Sequence, residues 1–63
     1  MTNGTYYVVQ FNTGGYGNRY ASKADALRDM ADTNRYSEAK HGEKLVSCVV
    51  YYKNYERVKE FRA

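Results

Sequence analysis

The chain has 63 residues, 43% of them apolar and 27% charged, with a formal net charge of +3 and a mean hydropathy of −0.84. At this length the expectation is one small domain, which buries only roughly 60% of the surface its unfolded form exposes and spares few side chains for a catalytic pocket. The longest apolar run is Cys48 to Tyr52, far short of the about 20 residues a membrane-spanning helix needs, so no membrane role is expected.

One Cys and one His cannot supply the three or four soft ligands of a zinc site, so neither a metal nor a cofactor is expected. Cys48 and His41 are the only nucleophile and base pair of that kind, and Cys48 lies within an apolar strand pattern. It reads as a packed core cysteine, and the chain as a non-enzyme. The opening Met1-Thr2-Asn3-Gly4-Thr5 has neither the basic start nor the apolar stretch of a secretory signal. With the lone cysteine, this points to the cytoplasm and makes the Asn3-Gly4-Thr5 glycosylation triplet a chance match. Tyrosine is the unusual entry, eight residues beside two Phe and no Trp; each carries a hydroxyl that needs a partner when buried.

In chain order, Thr5 to Phe11 reads as a strand, with Tyr7, Val9 and Phe11 on one face and Tyr6, Val8 and Gln10 on the other. Asn12 to Asn18, with three glycines, reads as a turn, and Arg19 to Ala21 as a short return strand. The glycines do not form a phosphate loop, because Asn18-Arg19-Tyr20 stands where Gly-Lys-Ser/Thr is required. Ser22 opens a helix, with Asp25 in its first turn and Ala24, Leu27 and Met30/Ala31 as its inward stripe. Thr33-Asn34 is one expected end; continuation through Lys40 to a stop at Gly42 is the other.

Leu45 to Tyr52 is the strongest strand pattern, followed by a turn at Lys53-Asn54 and a return strand from Tyr55 to Phe61. The competing reading of that last segment is a helix capped by Asn54, since Tyr55, Val58 and Phe61 also fit a helical stripe. The expected class is α+β: a four-stranded antiparallel sheet in the order ββαββ, with one helix packed on one face.

One helix covers one face, yet the strong strands are apolar on both: Val46, Cys48, Val50 and Tyr52 alternate with Leu45, Val49 and Tyr51. The expectation is an under-covered apolar and tyrosine patch, suited to a larger protein partner or a homodimer. Folding of the segment from Tyr36 to Lys44 over that patch is the alternative. Candidate binding residues fall in two clusters. Tyr16, Arg19 and Tyr20 stand at the first hairpin, with Tyr16 expected at the loop tip. Tyr51, Tyr52, Tyr55 and Arg57 surround the last turn. Nucleic acid is the less favoured partner, because basic and acidic residues interleave and no basic run exists.

In its miniature size, one helix on a hairpin-rich sheet, tyrosine content and single cysteine, the chain resembles the small accessory proteins that bacteriophages encode to bind host or defence proteins, of anti-CRISPR or polymerase-inhibitor type. That resemblance is one of overall style. It implies a stoichiometric binder, in the cytoplasm of a bacterial host, rather than a catalyst.

Overall fold

A computed structural model describes residues 4–63; Asn3 of the glycosylation triplet and the two residues before it lie outside the described residues. The elements run β1 (Tyr6–Phe11), β2 (Tyr16–Tyr20), α1 (Lys23–His41), β3 (Val46–Lys53) and β4 (Glu56–Arg62). The four strands form one antiparallel sheet in the order β2-β1-β3-β4, and α1 lies across one face. This is the α+β ββαββ fold expected of the sequence. The C-terminal segment is a strand, not the competing helix.

β2 begins at Tyr16 rather than Arg19, because the first turn closes within Asn12–Gly15: the Gly14 N–H donates to the Phe11 carbonyl at 2.9 Å, and the Phe11 N–H to the Gly15 carbonyl at 2.8 Å. Tyr16 is therefore a strand residue opposite Gln10, not the loop-tip residue the sequence suggested. The second hairpin turns at Asn54 and Tyr55, with φ of 54° and 64°, one position later than expected. Two successive left-handed residues give the type I′ geometry whose twist matches the flanking strands. Tyr55 is a costly residue there. Its N–H donates to the Gly4 carbonyl at 3.1 Å, and a Cβ on Gly4 would stand 2.5 Å from its ring, so the ring lies on bare backbone.

Ser22 caps α1 in extended conformation, its Oγ accepting from the Asp25 N–H at 3.5 Å. The helix continues past Thr33-Asn34 to Gly42, whose φ of 77° ends it with an N–H bond to the Glu38 carbonyl at 3.0 Å. Its buried line is Ala26, Met30, Asn34 and Ser37, with Leu27 beside it. Ala24 and Ala31, expected inside, are exposed. Asn34 holds its inward place by pairing with the backbone of Val46: Oδ1 accepts the Val46 N–H at 2.7 Å, and Nδ2 donates to the Val46 carbonyl at 3.0 Å. Ser37 donates to the Glu43 carbonyl at 2.7 Å.

The helix packs on β1, β2 and β3 and leaves β4 beside it. Beneath it Val9, Ala26, Met30, Val46 and Val49 form the main core, bordered by Tyr7, Phe11, Tyr20, Leu27 and Phe61. Val46 does not share a face with Cys48, as simple alternation predicts. The pairing of β1 with β3 steps from Gln10–Cys48 to Phe11–Val46, so a bulge at Ser47 returns Val46 to the helix side. Leu45 precedes the strand and is exposed.

Candidate partner-binding face

The face opposite the helix is built from alternate residues of all four strands. β1 contributes Tyr6, Val8 and Gln10, and β3 sets Tyr52, Val50 and Cys48 against them. Outside these, β2 brings Arg19 beside Val8 and Tyr16 beside Gln10. β4 brings Arg57 beside Tyr52, Glu60 beside Val50 and Arg62 beside Cys48. Among the described residues no element covers this face, yet Tyr6, Val8, Cys48 and Val50 form a second buried cluster, at 6%, 3%, 3% and 0% exposure. The expected bare apolar patch is thus corrected. The segment from Tyr36 to Lys44 does not cover it either: its residues up to His41 belong to α1 and the rest lead into β3 on the helix side.

The cover is made of side chains. Tyr6 and Tyr52 stack with ring centroids 4.9 Å apart, and the guanidinium carbon of Arg19 lies 4.3 Å over the Tyr6 ring. On the far side Arg57 reaches Glu60 at 2.7 Å and the Gln10 Oε1 at 3.3 Å. Glu60 also holds Arg62 at 3.3 Å, and the Cys48 Sγ lies 3.6 Å from the same Gln10 oxygen. Long polar side chains laid stem-down over apolar surface exclude water while keeping their charged ends in it. Arg57 holds the Glu60 carboxyl below the usual carboxylate range, by hydrogen bonding first and charge second. The Tyr16 hydroxyl beside Tyr52, followed by burial, raises the Tyr52 phenol above its usual value. Tyr6, Val8, Tyr16, Gly17, Arg19 and Tyr52 line a half-open pocket of about 230 Å³ on this face.

Four of the seven residues singled out from the sequence, Tyr16, Arg19, Tyr52 and Arg57, meet on this face. Three do not. Tyr20 faces the helix and donates its hydroxyl to the Asp29 carboxylate at 2.7 Å, a bond that raises its pKa. Tyr51 stacks on Tyr7 at 4.7 Å on the helix side. Tyr55 stands at the turn tip, 73% exposed. No family model, curated protein or solved structure matches the chain. Sequence reading missed Tyr6, Gln10 and Glu60. Counting Tyr6 onto the Val8 side was possible from alternation alone, but its pairing with Tyr52 needed the strand register.

Two other surfaces lie towards the helix side, the first bordered by Arg62 of this face. Between α1 and β4 runs a groove of about 670 Å³ lined by Met30, Ala31, Asn34, Glu38 and Lys44. At the other end of the helix side, Phe61 lies under Lys23 and Lys59, whose Nζ atoms are 4.2 and 5.4 Å from its ring centroid. Among the described residues no cluster of His, Cys, Asp and Glu has the grouping to hold a metal ion, and no helix is long and apolar enough to cross a membrane.

Proposed function

We propose that the protein is a non-enzymatic binding module that docks its open sheet face, with Tyr16, Arg19, Tyr52 and Arg57 as contacts, onto a larger protein and acts as a stoichiometric inhibitor or adaptor. The observation carrying this reading is the convergence of tyrosine and arginine on a broad sheet face that no element among the described residues covers. Tyr and Arg are enriched among interface hot spots; packing on Tyr6 holds Tyr52 and Arg19, and the ion pair with Glu60 holds Arg57, before any partner arrives. Because Val8, Cys48 and Val50 are already sealed, the module keeps a soluble surface when free. An accessory protein of the phage type that the sequence resembles would act in this way.

Nucleic acid is the second reading, favoured by Arg19, Arg57 and Arg62 standing against Glu60 alone on the face. It is the weaker one, because single-stranded recognition stacks bases on bare aromatic rings. Tyr6 already spends its ring on Tyr52 and Arg19. Affinity capture from a bacterial lysate, run in parallel with wild type, the open-face variant Tyr16→Ala/Arg57→Ala and the groove variant Ala31→Arg, separates these. The expected result is a stoichiometric protein retained by wild type and by Ala31→Arg and lost with the open-face variant. The same captured protein on all three, or nuclease-sensitive material alone, overturns the proposal.

A further inference from the structure

Arg19 differs from the other arginines of the open face. Arg57 and Arg62 both have Glu60 as a counterion. Among the described residues Arg19 has neither a carboxylate within ion-pair distance nor a side-chain hydrogen bond, and its guanidinium lies over the face of the Tyr6 ring. A π face engages the cation but accepts none of the five guanidinium N–H donors in the way an oxygen does. Those donors stand at the rim of the pocket floored by Val8 and walled by Tyr6, Tyr16 and Tyr52. The Tyr16 and Tyr52 side chains line it as well, and hydroxyls that hydrogen-bond to each other leave one O–H donor for an occupant. No acidic side chain lines the pocket.

We propose that this pocket receives a single carboxylate side chain, an Asp or Glu projecting from an acidic patch of the protein partner, which pairs with Arg19 and accepts a hydrogen bond from the Tyr16 or Tyr52 hydroxyl. The inference rests on the docking reading given above and names the partner's chemistry at that face. Three features select this occupant. The volume of about 230 Å³ suits one side chain and lies below the roughly 300–1,000 Å³ of small-molecule sites. A single guanidinium matches a carboxylate in fork geometry, whereas a phosphoryl group carries close to two charges and is usually met by an arginine cluster. Arg57, the nearest second cation, is occupied by Glu60.

The test uses the full chain labelled for NMR and a blocked, Glu-rich decapeptide as probe, with a Lys-rich peptide, a phosphoserine peptide and oligo-dT as comparisons. The Glu peptide is expected to shift the Arg19 Nε–H and the Val8 and Tyr16 amides, leaving Arg35 and Arg62 unmoved. Arg19→Gln should weaken binding at least tenfold, and Arg62→Gln less than twofold. Arg19→Lys keeps a cation on a long stem beside Tyr6 while losing the fork, so it should fall between them; it also serves if Arg19→Gln disturbs the sheet spectrum. Stronger shifts with phosphoserine or oligo-dT, equal shifts at every arginine, no shift, or unchanged binding by Arg19→Lys and Arg19→Gln each overturn the inference. The two readings fail separately: captured protein lost with Tyr16→Ala/Arg57→Ala but kept with Arg19→Gln preserves the docking face and removes the carboxylate pocket.

Discussion

Asn34 satisfies both backbone groups of Val46 with one side chain, at the point where β3 begins and its pairing with β1 is interrupted by the bulge. A carboxamide presents an acceptor and a donor side by side on one planar group, so it reproduces what a neighbouring strand would offer. At 5% exposure, water cannot replace it. Asn34→Ala leaves a buried N–H and a buried carbonyl without partners, at about 1–3 kcal/mol each before relaxation, and urea unfolding should show a loss of about 2–4 kcal/mol. Asn34→Asp should cost at least as much, since it removes the donor and brings a charge inside. A loss below about 0.5 kcal/mol would mean the pairing is not maintained in solution. This residue was not legible in the sequence, where a polar side chain late in a helix reads as a cap. Its burial depends on a backbone twelve residues away.

The strands and the helix were legible, because period-two and period-3.6 patterns are written by burial that each element needs on its own account. Register was less so. Alternation run through β3 assigns Val46 to the Cys48 face, and only the bulge at Ser47, a relation between two strands, reverses it. Alternation did place Tyr51 and Tyr52 on opposite faces, as it separates Tyr20 from Arg19; what it left open was which of those faces the helix covers. Gly17 shows what the close fit of β2 demands. Its backbone is not in the left-handed region; it is needed because an added Cβ would meet the Val9 Cγ2 at 2.5 Å and the Phe11 ring at 3.1 Å. Phe11 closes the main core at that edge. Gly17→Ala therefore forces the core side chains or β2 outward, and should destabilise by about 1–3 kcal/mol. Hydrogen exchange should speed up in β2 more than in β4. Exchange that is unchanged in β2 would show that the hairpin has room to give.

A domain of this size has a net stability that is a small remainder of large opposing contributions, so both of its faces must exclude water. On one face a helix performs this; on the other, Tyr6, Tyr52, Arg19 and the Arg57–Glu60 pair replace a missing layer. Val49 and Val50 are adjacent, point to opposite faces and are both fully buried, which makes them a matched probe of the two covers. If the side-chain roof is as continuous as the helix, each Val→Ala change removes two buried carbon groups and leaves a comparable void, about 2 kcal/mol in either case. Denaturant midpoints for Val49→Ala and Val50→Ala should then fall by similar amounts. A Val50→Ala variant that loses less than about 0.5 kcal/mol would mean that water already reaches the open face in the free protein. The stacked tyrosines and arginines would then be a surface that assembles only against a partner, and ordering them would lower the affinity of docking. Equal losses would instead mean that the side-chain cover excludes water from Val50 as completely as the helix does from Val49.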